Sequence, residues 1–327
     1  MAYQNVGTPR FYVNDSHFMI ANDVGNINVQ GGTLEWDNGV AMLNMGKDYE
    51  MNLSNLRVDF PISNAYNFLF VLGHNLNSTN RRTYIVDYYG TIIPAVSTVN
   101  GEPNAIPVHD GWTLQIFEEQ IADTARFYIW EGIATGITKI KSVCIGKYYD
   151  MPNAPDLSLT MSREYGGTKE FTTHNGSSMS NTMWSKAPKW GDLGAWEIGG
   201  GIPQLSKSGR RTWQLKFSYM DDSDLWGLNQ LLHRARFDLV DGITDENDTL
   251  SNGTLGNFTY NLLTDENFFS QVWHKTLGGT LPFIFQPDSS NDNPDQFAIC
   301  KFKDNSLKAT QSAFNVYDIS LSIEEVW

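Results

Sequence analysis

Arg211-Thr-Trp-Gln-Leu-Lys-Phe-Ser-Tyr219 alternates apolar with polar residues, the pattern of a half-buried strand. Asp221-Asp-Ser-Asp224 follows, an acidic cluster suited to capping a short helix through Leu225, Leu228, Leu231 and Leu232. A second amphipathic segment, residues 268–277, stops at Gly278-Gly279. Three strand patterns close the chain: Leu281-Pro-Phe-Ile-Phe-Gln-Pro287, Phe297-Ala-Ile-Cys-Lys-Phe302 and Tyr317-Asp-Ile-Ser-Leu-Ser-Ile323, the last running on into Glu324-Glu-Val-Trp327. A terminal strand that ends in Trp is expected to be packed. In that strand Ile319, Leu321 and Ile323 share one face and are expected to pack on the 268–277 helix.

Upstream, a different rhythm runs from about residue 51 to 146. Asn67-Phe-Leu-Phe-Val-Leu72 is a continuous apolar run. Thr83-Tyr-Ile-Val-Asp87, Trp112-Thr-Leu-Gln-Ile-Phe117, Ala125-Arg-Phe-Tyr-Ile-Trp130 and Ile140-Lys-Ser-Val-Cys-Ile145 follow, with Gly, Asn and Pro between them. Short strands at this spacing argue a β-sandwich. Residues 1–50 hold only weak strand patterns, at 9–13, 26–29 and 39–43. They are expected to add strands to a neighbouring domain or an arm to a neighbouring subunit. Residues 147–155, with Pro152 and Pro155, read as the boundary before a strand restarts at Leu157-Ser-Leu-Thr-Met161. Residues 174–210, which carry Trp184, Trp190 and Trp196, read as a surface loop stapled by its tryptophans or as a loop that grips a neighbour. The fold these patterns predict is mainly β: strands or an arm over 1–50, a β-sandwich over 51–150, and strands with one or two helices over 151–327.

Composition sets bounds. The 327 residues include 10 Trp, 14 Tyr and 18 Phe, and only 18% are charged. That is ample material for two β cores and unlike a disordered chain. A net charge of −14 opposes binding to nucleic acid by phosphate neutralisation, and no sequence-specific nucleic-acid partner is expected. It serves solubility, or a negative wall past which DNA slides. Cys144 and Cys300, each in an apolar run, read as buried thiols. The N-terminal residues lack a secretory pattern, and no apolar run is long enough for a bilayer, so cytoplasmic synthesis and no membrane insertion are expected.

The search for chemistry returns little. His74-Asn75 at a strand end is the most enzyme-like pair, and a turn-satisfying role explains it. Asp221, Asp222 and Asp224 suit helix capping better than calcium, and Asp288, Asp292 and Asp295 suit a solvated turn or a weak cation site. The six histidines have no metal spacing, and no hydrolase elbow, phosphate loop or dinucleotide fingerprint occurs. No catalytic residue, metal or cofactor is expected.

Two resemblances give these patterns a context. The order strand, helix, Gly278-Gly279-x-x-Pro-Phe-x-Phe-x-Pro287, strand and closing strand with Glu324-Glu-Val-Trp327 resembles the distal tail and tail-tube-like proteins of long-tailed bacteriophages. Phe70-Val-Leu-Gly-His-Asn-Leu76, Ala125-Arg-Phe-Tyr-Ile-Trp130 and Ile140-x-x-Val143-x-Ile145-Gly146 resemble galactose-binding-like jelly rolls. The second resemblance implies a galactose-binding-like jelly roll over 51–150; the first implies a tail-tube-like β-sandwich with one or two flanking helices over 151–327, and a virion protein at the tail tip, made in the host cytoplasm. It would form a homo-oligomeric ring that continues the tail tube and contacts tube, hub or fibre proteins. The alternative is a carbohydrate-binding module or receptor-binding protein for the host surface. Glycan contacts would then come from Asn77, Arg81 and Arg82, with stacking by Trp112, which reads equally well as core.

Overall fold

The computed structural model describes residues 7–30, 40–45, 51–53, 56–74, 81–87, 89–102, 106–107, 111–131, 138–164, 168–182, 209–226 and 262–326. The chain is mainly β, and its paired strands are antiparallel among the described residues. The apolar run at 67–72 lies within strand Ala65–His74, which is buried along its whole length. Alternation sends Leu69 and Val71 to one core and Phe68, Phe70 and Leu72 to another. A strand covered on both faces has no use for polar alternation, which is why the run is continuous.

The first core lies between two sheets. One has the order Ser142–Gly146, Ala65–His74, Gly111–Ile121, Ala95–Val99. The other has the order Asn28–Gln30, Leu56–Pro61, Thr124–Glu131, Arg81–Val86, Ile92–Ile93. Val58, Phe60, Phe127 and Ile129 from the five-stranded sheet meet Leu69, Val71, Val143 and Ile145 from the four-stranded one.

An eight-stranded sheet has the order Tyr148–Asp150, Arg10–Val13, Phe283–Gln286, Ala298–Phe302, Val316–Glu325, Arg210–Asp221, Thr160–Glu164, with Ala309–Ala313 also paired to Val316–Glu325. On one face Phe217, Ile319, Leu321 and Ile323 share a core with Phe268, Val272 and Trp273. The expected helix at 268–277 is there a π-helical segment, Phe269–His274. On the other face Tyr12, Ile284 and Ile299, with Phe297, pack on Phe68, Phe70, Leu72, Trp112 and Leu114 of the four-stranded sheet. Tyr12 sets its ring edge-on to Phe68 and Phe70, 5.0 Å from each, and its buried hydroxyl donates to Gln286 Oε1 at 2.9 Å. The two-sheet sandwich and the C-terminal sheet are therefore joined by a third apolar core.

The N-terminal residues serve both units. Arg10–Val13 runs inside the eight-stranded sheet, and Asn28–Gln30 edges the five-stranded one. Between them lies a helix the strand patterns do not announce, Asp15–Ala21, capped by Asn14, whose side chain accepts from His17 N–H at 3.3 Å. Val40–Leu43 is a 3₁₀ turn rather than a strand, because a short apolar run has no period to distinguish the two. The proline-bearing boundary includes Tyr148–Asp150, an edge strand of the eight-stranded sheet, where Arg10 forks Asp150 at 2.6 and 2.8 Å. The start of the expected 174–210 loop is a hairpin, Thr168–Thr172 with Ser178–Thr182. Trp184, Trp190 and Trp196 lie outside the described residues, as does Trp327.

Candidate functional site

The outward face of the five-stranded sheet carries the most organised polar and aromatic group. Strand alternation sends Leu56, Val58 and Phe60 inward and leaves Arg57 and Asp59 outward. The same rule turns Arg126 and Tyr128 outward. Register aligns Arg57, Tyr128 and Tyr84 across three strands, and Asp59 with Arg126. The tyrosine rings are parallel to within 4°, with centroids 5.4 Å apart. The Arg57 guanidinium lies 5.9 Å from the Tyr128 centroid. Arg57 forks Asp59 at 3.0 and 2.6 Å, and Arg126 Nε reaches the same carboxylate at 3.2 Å. Burial, then the neighbouring Tyr128, pushes the Tyr84 hydroxyl above its usual range. Exposed Asn28 and Gln30, in register with Asp59 and Arg57, extend the face to its edge. The arrangement offers stacked rings and charged hydrogen-bonding groups on one face; among the described residues of this face no nucleophile lies beside a base.

Of the residues named from sequence, Trp112 is 5% exposed, with ring centroids at 5.8 Å from Phe70 and 5.2 Å from Phe297. The stacking role for Trp112 is thereby corrected to a core role, since its side of the strand is the one that the eight-stranded sheet covers. Arg81 and Arg82 fall on strand Arg81–Val86, in register with Glu131 and Trp130. Their side chains, and the whole of Asn77, are outside the described residues. Tyr84 and Tyr128 went unnoticed. The signal for them is the polar phase of Thr83-Tyr-Ile and Phe127-Tyr-Ile, where a tyrosine alternates with core residues.

His74, Asp221, Asp288, Cys144 and Cys300, singled out in the sequence, serve the scaffold. His74 is buried, its Nε2 lies 2.8 Å from Thr113 Oγ1, and burial lowers its pKa to about 3. Asp221 caps the helix Asp222–Leu225 by accepting from Ser223 N–H at 2.9 Å. Asp288 accepts from the Ser290 N–H and hydroxyl in a turn. Cys144 and Cys300 are buried free thiols that burial pushes well up. Among the described residues no group of three or more His, Cys, Asp or Glu is placed to hold a metal. No helix of the described residues is long and apolar enough to cross a membrane.

Two buried ion pairs brace the body. Lys275 Nζ lies 3.0 Å from Asp15 Oδ1, with side chains 3% and 1% exposed. Asp15 also accepts from the Ser63 N–H at 2.5 Å and hydroxyl at 2.8 Å, so one carboxylate ties the N-terminal helix, the two-sheet sandwich and the segment after the π-helix. Arg211 holds Glu325 through Nε and Nη2, at 3.1 and 3.0 Å, and donates to the carbonyls of Asp295 and Phe297.

No protein-family model matches the chain, and no curated protein matches it. Among solved structures it is similar to chitosan-binding module 1 of a chitosanase/glucanase from Paenibacillus sp. IK-5, at 7% identity and a TM-score of 0.27, over 36% of this chain and 92% of that one. A likeness of that degree carries no argument about this protein.

Proposed function

We propose that the chain is a non-catalytic structural protein of a tailed bacteriophage particle, placed at the distal end of the tail and assembled as a ring with tube, hub or fibre proteins. The observation that supports this best is the third core. By covering the second face of the four-stranded sheet it makes one body of two β units, as a load-bearing subunit needs. The titratable groups named above as scaffold are consistent with that reading. Its physical content is assembly through surfaces, with ring closure leaving no contact unsatisfied. Light scattering on the purified full-length chain tests it: a discrete oligomer is expected, and a monomer at every concentration contradicts it.

A second reading, carbohydrate or receptor binding at the host surface, is favoured by one feature, the Arg57, Tyr128 and Tyr84 row on an outward sheet face. Its ligand would lie on that face and not at Trp112.

A further inference from the structure

Helix Asp15–Ala21 is wedged between the two β units. Ile20 packs against the core between the two sandwich sheets, and Asn14 Nδ2 donates to the Val143 carbonyl at 3.1 Å. Phe18, on the same helix, sets its ring edge-on to His274 of the π-helical segment, with centroids 5.2 Å apart. Asp15 completes the seat through Ser63 and Lys275.

His17 fits that seat only while it is neutral. Its Nδ1 is buried and has no hydrogen-bond partner among the described residues. A neutral imidazole can leave that nitrogen as a bare acceptor. A protonated one carries N–H on both nitrogens, so the proton would create a buried donor with nothing to accept from it. Lys301, on strand Ala298–Phe302, is the charge that acts on His17, and Lys301 is in register with Glu324. His274 lies between the rings of Phe18 and Phe269, the second at 6.4 Å, and directly precedes the buried Lys275. Ser142–Gly146 and Val40–Leu43, which also pack on the helix, carry no charged residue. Leu56–Pro61 packs on it too, and its Arg57 and Asp59 bond each other on the outward face. Burial, then Lys301, lowers the pKa of His17; burial, then Lys275, lowers that of His274.

We propose that helix Asp15–Ala21 is an acid-released latch: His17, aided by His274, takes up a proton, the helix leaves its seat, and Phe18 and Ile20 are uncovered while the third core keeps the two units joined. A histidine kept neutral by the closed form favours the open form once pH falls below its unconstrained pKa of about 6.5, by up to about thirtyfold at about pH 5.

The test is hydrogen exchange on the full chain at about pH 7.5 and about pH 5, corrected for the intrinsic pH dependence of exchange. Amides of Asp15–Ala21 should open about tenfold more often at the acid pH. The double variant His17→Gln with His274→Gln should lose most of that rise, while Ala65–His74 responds to acid as in the parent because His74 is kept. Helix amides that open alike at both pH values, or a rise that persists in the double variant, overturns the proposal. Should the double variant fail to fold, NMR of the parent decides. The His17 imidazole should titrate below its ordinary range and in step with the helix amides, and an ordinary titration with the helix amides unmoved overturns the latch.

Discussion

Replacing Lys275 by alanine should loosen the joint between the two β units. Asp15 and Lys275 are 1% and 3% exposed and 3.0 Å apart. Without the ammonium, the Asp15 carboxylate stays buried with the two Ser63 donors as its named partners. Removing one member of a buried pair costs about 3–5 kcal/mol, because the desolvation of the other is no longer offset. At roughly 2–4 °C per kcal/mol, the melting temperature should fall by about 6–20 °C. Asp15→Asn with Lys275→Met removes both charges and should recover most of that loss, since a neutral pair of similar volume is often as stable as a buried ion pair. Scanning calorimetry reads the shift. Hydrogen exchange then asks whether protection falls in Ala65–His74 and Phe283–Gln286 together, as one joined body requires. A Lys275→Ala protein melting within a degree of the parent would refute the reasoning, because the pair would then have to be solvated.

Other outcomes follow from the same geometry. Phe70→Ala should destabilise by about 3–5 kcal/mol, since Phe70 is fully buried in the joining core; a denaturation midpoint equal to the parent's would contradict its placement. Arg211→Lys gives up the two-nitrogen hold on Glu325 and at least one carbonyl contact, so it should lower the melting temperature clearly although the charge is kept. His74 has a folded pKa of about 3, below its unfolded value of about 6.5, so the unfolded state takes up the proton first. Stability from this group is whole above about pH 6.5 and is lost as pH falls towards 3; an imidazole NMR resonance of His74 titrating near 6.5 would count against burial. Cys144 and Cys300 should resist a thiol reagent until the protein unfolds, and rapid labelling of the native chain would argue otherwise.

Much of the β architecture is legible in the sequence because alternation reports which face of a strand is buried. Residues 211–219 and 317–323 alternate, and both lie in strands of the eight-stranded sheet. The union of the two units is not legible. The continuous run at 67–72 says that both faces of its strand are covered but not by what, and the partner is assembled from residues 12, 284, 297 and 299, remote in the chain. Helix Asp15–Ala21 is too short for its period to stand out, and only the Asn14 cap marks it. Trp112 shows the limit of reading a site from residue type: a tryptophan on a strand suits a sugar platform and a core equally until the covering sheet is known. The outward phase of Tyr84 and Tyr128 is legible in local alternation, but their pairing with each other depends on the register between strands, which no local pattern supplies.

The proposal that the protein belongs to a phage tail tip is tested most directly by electron microscopy of phage particles induced from the strain that carries its gene, labelled with a gold-conjugated antibody to this chain. Gold at the distal end of the tail is the predicted result. Label confined to the capsid, or absent from intact particles, would contradict it.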